Sequence, residues 1–200
     1  MRPDDEALIV IDVQNDFCPG GALAVTGGDQ IVPQVNDLMA EFGTVVLTQD
    51  WHPADHSSFA DMHGLAPFSQ IEMGYGPQTL WPRHCVQGSP GAAFHPELRT
   101  DPAQLIVRKG FRSAIDSYSA LFENDRTTPT GLEGYLRGRG IQRLVLVGLA
   151  TDFCVAYSAL DAAARGFDVS VVMAACRAID LGGSLAAQVT ALQTAGVRLL

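Results

Sequence analysis

The 200-residue sequence has few basic residues: 13 Lys and Arg stand against 22 Asp and Glu, for a formal net charge of −9. This balance disfavours a nucleic acid or an anionic membrane as a partner, because both carry negative charge. No basic leader precedes the first apolar segment, and no apolar run approaches the roughly 20 residues that span a bilayer. We therefore expect a soluble, cytoplasmic protein that binds neither nucleic acid nor membrane.

Cysteine is also scarce. Its four residues form no CxxC pair and are too few for a disulfide scaffold in a chain of this length, so we expect reduced thiols. A GxGxxG turn after the first apolar segment is missing too, which disfavours a dinucleotide-binding oxidoreductase. Hydrophobic residues make up 47% of the chain, enough for a substantial core, and we expect one domain over residues 1–200.

Apolar segments suited to buried strands alternate with helical patterns. The strand segments lie at 7–13, 44–48, 105–108, 143–150, 168–173 and 197–200, and the helical ones at 29–41, 130–139, 152–165 and 183–195. This alternation predicts an α/β fold of three layers, α/β/α, around a mostly parallel sheet of about six strands. The region 51–102 shows neither the 3.6-residue period of a helix nor the two-residue period of a strand, and it is rich in Gly, Pro, His and aromatic residues. A loop region of that length predicts a functional site.

Polar side chains follow four of the strand segments: Asp12, Asp50, Lys109 and Cys154. Because the carboxyl ends of parallel strands meet at one edge of a sheet, where ligands bind in such folds, we expect these side chains to converge. Each has an ordinary structural explanation when taken alone: a core cysteine, a turn-binding aspartate or a surface lysine. Their joint position favours a functional site.

Cys154 has the strongest indication of reactivity. It follows a buried strand by a few residues and precedes a helical pattern, so it falls in the first helical turn, with Thr151 or Asp152 as the N-cap. Free N–H groups and the helix dipole favour a thiolate there, and the same N–H groups could form an oxyanion hole. With Asp12 as a base and Lys109 as a cation, the residues favour acyl transfer to Cys154 followed by hydrolysis.

A metal site is predicted at the start of the long loop region. Asp50 and His52 are two residues apart in an extended segment, so both can bind one divalent ion, and this donor pair suits zinc, iron or manganese. His84, in a segment stiffened by Trp81 and Pro82, is the preferred third ligand. His56 is its main competitor, either as a ligand or as a residue that orients metal-bound water. Less favoured donors are His63, His95 and Cys85.

Five segments of the chain, at 11–23, 48–60, 80–98, 108–122 and 147–155, resemble the nicotinamidase branch of the isochorismatase-like cysteine hydrolases in sequence and in order. The resemblance implies a catalytic triad of Asp12, Lys109 and Cys154, with Cys154 as the nucleophile. It also implies one divalent metal ion per chain on Asp50, His52 and His84. The role of His56 varies in the family and stays open.

The resemblance further implies a non-proline cis peptide before Ala150, whose backbone N–H would join that of Cys154 in the oxyanion hole. The pyridine pocket would be lined by Phe17, Leu23, Trp81 and Tyr118; aromatic residues at three of these positions suit a flat, uncharged ligand. The implied reaction is hydrolysis of nicotinamide to nicotinate and ammonia through a cysteine thioester, in NAD salvage, with pyrazinamide also accepted.

Three alternatives remain at this point. An isochorismatase or an N-carbamoyl amide hydrolase would share the triad without needing the histidines, and a noncatalytic protein could use Cys154 and the metal ligands as a sensor. The Ala- and Leu-rich faces at 156–164 and 185–195 could form either core or the interface of a homo-oligomer.

Overall fold

Apolar, β-branched segments pair into a six-stranded sheet. The computed structural model describes residues 2–200. The strands are β1 (Glu6–Ile11), β2 (Thr44–Asp50), β3 (Gln70–Met73), β4 (Gly76–Thr79), β5 (Leu105–Lys109), β6 (Arg143–Leu149), β7 (Asp168–Arg177) and β8 (Arg198–Leu199). β3 and β4 pair with each other and lie outside the six-stranded sheet. The sheet runs in the order β5-β2-β1-β6-β7-β8 with every neighbouring pair parallel, which confirms the predicted sheet.

Helices cover both faces of this sheet, as predicted for a three-layer α/β/α fold. They are α1 (Val32–Met39), α2 (Leu132–Gly138), α3 (Ala156–Ala164) and α4 (Ser184–Thr194). Alternate residues of the central strand β1 enter different halves of the core: Ile9 packs in the half that contains α2, α3 and α4 residues, whereas Leu8 packs in the half that contains α1 residues. Burial on both faces explains the continuous apolar runs of β1 and β6 and the shorter run Val45–Leu47 in β2.

The start of the third helix differs from the prediction. Thr151–Val155 forms a π-helical turn that precedes α3, and neither Thr151 nor Asp152 caps it with its side chain. The carboxylate of Asp152 instead accepts hydrogen bonds from the backbone N–H groups of Ile179 and Asp180. The N-cap prediction was therefore wrong, because partners distant in sequence outcompete the local cap.

The region 51–102 contains more regular structure than its sequence indicates. An antiparallel hairpin, β3–β4, and a short 3-10 turn at Ala60–His63 interrupt an otherwise irregular path. β3 alternates between exposed and half-buried residues, so it carries no apolar run. Among residues 2–200, no helix has the length and hydropathy required to cross a bilayer.

Candidate active site

The carboxyl ends of four neighbouring strands bring the predicted polar side chains together. In the sheet order β5-β2-β1-β6, Lys109 ends β5, Asp50 ends β2, Asp12 follows β1 directly, and Cys154 lies in the turn after β6. All four side chains are buried. The sequence therefore predicted the location of this cluster correctly.

Lys109 lies at the centre of the cluster. Its Nζ donates hydrogen bonds to Asp50 Oδ1 and to the carbonyl oxygen of Ser117, at 2.5 and 2.8 Å. The same atom lies 2.9 Å from Asp12 Oδ2 and 3.4 Å from Cys154 Sγ. Burial lowers the pKa of Lys109, but the carboxylates of Asp12 and Asp50 outweigh burial and raise it well above its usual value. Lys109 therefore supplies a positive charge and does not act as a base.

Asp12 is held in a left-handed backbone conformation, with φ at 47°, directly after β1. Its backbone N–H donates to Thr48 Oγ1 at 3.1 Å, and the Thr48 hydroxyl donates to Asp12 Oδ1 at 2.6 Å. Burial raises the pKa of Asp12, and the charge of Lys109 opposes that shift only in part. Asp12 is therefore a stronger base than an exposed aspartate.

Cys154 is buried beside the carboxylates of Asp12 and Asp50. Its Sγ and one carboxylate oxygen of each aspartate all lie within 4.8 Å of one another. Burial raises the pKa of its thiol well above the usual value, although Lys109 lowers it. The prediction that the helix start favours a thiolate is thus wrong for the free protein, since desolvation outweighs the favourable charges. The thiol keeps its proton and requires a neighbouring base to become a nucleophile.

The turn that carries Cys154 starts at a cis peptide bond between Leu149 and Ala150, as the resemblance implies. The carbonyl oxygen of Ala150 accepts hydrogen bonds from the N–H groups of Phe153 and Val155, each at 3.1 Å. These bonds fix the backbone on both sides of the thiol.

Asp50, His52 and His84 form a second cluster next to the first. His52 Nε2 lies 3.5 Å and His84 Nε2 lies 3.9 Å from Asp50 Oδ2, and the three donor atoms lie within 4.8 Å of one another. His52 Nδ1 contacts the carbonyl oxygen of Gly110 at 2.9 Å, and His84 Nδ1 contacts that of Pro82 at 2.8 Å. A carbonyl can only accept, so each Nδ1 carries a hydrogen and each Nε2 is left with a lone pair.

The donor chemistry of this cluster fits a divalent metal ion. Second-sphere carbonyls that fix the histidine tautomer are typical of metal sites. Burial and the neighbouring His52 lower the pKa of His84 to about 4, so His84 is a neutral imidazole. Burial also lowers the pKa of His52, but the carboxylate of Asp50 outweighs burial and raises it. An ion at His52 Nε2 requires the neutral ring, so ion binding and protonation compete at this atom.

His56 has both ring nitrogens occupied by protein groups. Nδ1 lies 2.7 Å from Ser58 Oγ, and Nε2 lies 3.2 Å from the carbonyl oxygen of Ile115. Its ring lies against that of His52, with centroids 4.3 Å apart and planes tilted by 42°, and it forms an alternative donor group with His52 and Asp116. Nε2 of His52 and Nε2 of His84 instead face the carboxylate of Asp50. His56 is therefore less suited than His84 to be the third ligand.

The less favoured donors lie outside the cluster. Nε2 of the exposed His63 contacts the Ser57 carbonyl oxygen, and His95 is half-buried near a loop. Cys85 is fully buried and burial raises the pKa of its thiol well above the usual value, so it fits a packing role. Cys18 and Cys176 are also buried within the core.

An aromatic cavity adjoins both clusters. The four residues predicted to form a pocket, Phe17, Leu23, Trp81 and Tyr118, all line it, together with Asp50, His84, Ala150 and Cys154. The Trp81 Nε1–H donates to the Tyr118 hydroxyl oxygen at 3.1 Å, which fixes both rings. The cavity is thus a mostly apolar space with a thiol on one side and candidate metal ligands on another.

Three lining residues were not predicted: Asp116, Phe153 and Ile179. The ring of Phe153 packs edge-on against Trp81 and Tyr118, with centroids 4.9 and 5.6 Å apart. Ile179 follows the end of β7, so the rule that ligands bind beyond strand ends could have identified it. Asp116 lies two residues before Tyr118, and its carboxylate accepts a hydrogen bond from Gln78 at 2.7 Å.

Comparison with known proteins agrees with this geometry. The family model described as the isochorismatase domain matches residues 6–199. The chain belongs to the isochorismatase family.

The relatives of this chain include proteins named nicotinamidase. A nicotinamidase of Acinetobacter baylyi is 58% identical over 180 residues, which cover 90% of this chain and 84% of that protein. The structure of a nicotinamidase/pyrazinamidase of Acinetobacter baumanii superimposes with a TM-score of 0.99 at 54% identity, over 100% of this chain and 97% of that one. A pyrazinamidase of Pyrococcus horikoshii, solved in complex with zinc, gives 0.79 at 36% identity and covers 98% of both chains.

Proposed function

We propose that this protein hydrolyses nicotinamide to nicotinate and ammonia, a step of NAD salvage, with Cys154 as the nucleophile. The observation that carries the proposal is the contact of Cys154 and Asp12 with the buried Lys109, beside a donor cluster and an aromatic cavity. The relatives named nicotinamidase support the substrate. In this proposal residues 1–200 form one hydrolase domain in which 51–102 supply much of the site.

The first half of the reaction acylates Cys154. Asp12, whose pKa is raised by burial, accepts the thiol proton, and Cys154 Sγ attacks the carboxamide carbon. The carbonyl π electrons move to oxygen, where the backbone N–H groups of Ala150 and Cys154 would stabilise the negative charge. Collapse of this intermediate breaks the C–N bond, and Asp12 returns the proton to the leaving nitrogen. The products are a nicotinoyl thioester and ammonia.

The second half restores the free thiol. A water molecule attacks the thioester carbon and loses its proton to Asp12, which is free to act as a base again once it has protonated the leaving ammonia. The C–S bond breaks, sulfur regains a proton, and nicotinate leaves. Lys109 stays protonated throughout, so its charge stabilises the Cys154 thiolate whenever it forms.

Asp50, His52 and His84 would hold the divalent ion, and Asp50 would also connect it to Lys109. When bound, the ion would act as a Lewis acid toward a pyridine ring nitrogen at the cavity wall. Phe17, Trp81 and Tyr118 would hold the ring between aromatic surfaces. Pyrazinamide has a ring of the same size and also carries a ring nitrogen, and we expect it to be accepted.

The deciding experiment measures ammonia release from nicotinamide by the purified protein, its Cys154→Ala variant and a chelator-treated sample. We expect release by the wild type, none by Cys154→Ala, and a strong loss after chelation that zinc, iron or manganese restores. Circular dichroism of Cys154→Ala serves as the control for an intact fold. Turnover by Cys154→Ala would refute the nucleophile, and no ammonia from the metal-loaded wild type would refute the substrate.

A further inference from the structure

Asp152 is a buried carboxylate that none of the steps above uses. It is 1% exposed and lies in the turn between Ala150 and Cys154. Both of its oxygens bind a loop some thirty residues later. Oδ1 accepts the N–H of Ile179 at 3.0 Å, and Oδ2 accepts the N–H of Asp180 at 2.8 Å and the Ser184 hydroxyl.

No cation among residues 2–200 lies within salt-bridge distance of Asp152. The protein groups that compensate its buried carboxylate are the donors of these three hydrogen bonds. A buried charge without a paired cation is costly unless donors surround it. The loop that supplies the donors is consequently held firmly against the turn of the nucleophile.

The bound segment, called the loop 178–184 below, comprises the residues between β7 and α4 together with Ser184, the first residue of α4, and it has an unusual backbone. Asp180, Gly182 and Gly183 all have positive φ, at 54, 60 and 86°. A left-handed conformation at a non-glycine residue such as Asp180 persists only when neighbouring contacts enforce it. The hydrogen bonds from Ile179 and Asp180 to Asp152 are such contacts.

Ile179 is the residue of this loop that lines the aromatic cavity, together with Ala150, Phe153 and Cys154. Its backbone N–H is one of the groups bound by Asp152. The position of one cavity wall is thus tied to the turn that carries the thiol.

We propose that Asp152 is a positioning residue that clamps the loop 178–184 and so holds Ile179 as a wall of the substrate cavity beside Cys154. The proposal rests on the proposed function, since it assigns the cavity to the substrate. Asp152 touches neither substrate nor reacting atoms and acts through Ile179.

The test compares kcat and KM for nicotinamide in four variants: Asp152→Ala, Ser184→Ala, Ile179→Ala and the double variant Asp152→Ala/Ile179→Ala. We expect KM to rise about tenfold in Asp152→Ala and in Ile179→Ala, the size of effect that lost apolar contacts produce in a pocket, with kcat changed less. Ser184→Ala removes one of the three hydrogen bonds to Asp152, and we expect a smaller rise in KM. The double variant should have the KM of Asp152→Ala, because both changes remove the same wall.

Asp180→Asn is the matched control, because it removes a carboxylate from the same loop while keeping the backbone N–H that Asp152 binds. We expect its KM to match the wild type. Two outcomes would overturn the proposal. One is a KM increase in the double variant equal to the product of the increases in Asp152→Ala and Ile179→Ala, and the other is an unchanged KM in Asp152→Ala.

Hydrogen exchange of the peptide covering 178–184 provides a readout that does not depend on turnover. We expect exchange at least about tenfold faster in Asp152→Ala than in the wild type, because two amides lose their acceptor. Equal exchange rates would refute the clamp even in an active enzyme. Faster exchange in a protein that does not hydrolyse nicotinamide would refute only the proposed substrate.

Discussion

Lys109 is a fully buried cation, and two carboxylates and a thiol surround it. Burial of a lysine is unfavourable unless the charge is compensated. Here the compensation is mutual, because Asp12 and Asp50 would be buried anions without Lys109. The same three residues therefore link the stability of the fold to the charge balance of the candidate site.

Replacement of Lys109 by Met is expected to lower the free energy of unfolding by about 3–5 kcal/mol, because it leaves two buried carboxylates without a cation. Urea denaturation of chelator-treated protein, followed by circular dichroism, measures the change. The double variant Lys109→Met/Asp12→Asn should regain part of the loss, since it removes one of the stranded charges. A loss below about 1 kcal/mol in Lys109→Met would contradict this account, as only exposed pairs contribute so little.

The two candidate third ligands can be separated by metal content. His84 directs Nε2 toward Asp50, whereas both nitrogens of His56 contact other protein groups. We expect His84→Ala to lose most bound zinc and His56→Ala to retain it, as measured by mass spectrometry of the dialysed protein. His63→Ala, at an exposed histidine, is the control. The reverse pattern would assign the third ligand to His56.

Strands β1 and β6 approach each other very closely at the end that supports the site. Gly148 has φ at 122°, and a Cβ atom built on it would lie 2.1 Å from the carbonyl oxygen of Ile11. That carbonyl belongs to the residue before Asp12. Only glycine fits this position, so the contact sets the spacing between the base and the turn of the nucleophile.

Gly148→Ala is expected to destabilise the protein by about 2–3 kcal/mol, because a backbone oxygen blocks the new methyl group and the φ angle disfavours alanine. Thermal or urea unfolding measures the loss. Gly134→Ala in α2 is the matched control: its Cβ would meet nothing within 4 Å, and alanine favours a helix by about 0.5–1 kcal/mol. Equal stability of Gly148→Ala and the wild type would show that the strands can separate at little cost.

The strands were predictable from sequence more readily than the segments that join them. β1, β2 and β6 are buried along their length, so apolar runs mark them directly. The hairpin β3–β4 lacks such a run because its residues are partly exposed. The start of the third helix was mispredicted since the side chain of Asp152 binds a distant loop, and no local pattern records that contact.

At the scale of the whole molecule, the rule for parallel sheets predicted where Asp12, Asp50, Lys109 and Cys154 would meet. It did not predict cavity walls whose positions depend on hydrogen bonds between distant loops. Asp116, for instance, is bound by Gln78, which lies 38 residues earlier in the hairpin β3–β4. Side chains at strand ends can therefore be assigned from this rule, whereas loop residues such as Phe17, Trp81 and Tyr118 were identified only through the family resemblance, and Asp116 only from the folded structure.

The donor cluster joins β2 to the region 51–102, so metal binding should stabilise the molecule as a whole. A ligand at 100 times its Kd adds about 2.7 kcal/mol to the stability of the folded state, and in a protein of this size that raises Tm by about 5–10 °C. We expect chelation to lower Tm by this amount and added zinc to restore it, measured by differential scanning calorimetry. His84→Ala should show the lower Tm and no response to zinc, because one of the three ligands is missing. A zinc response of wild-type size in His84→Ala would mean that the stabilising ion binds elsewhere.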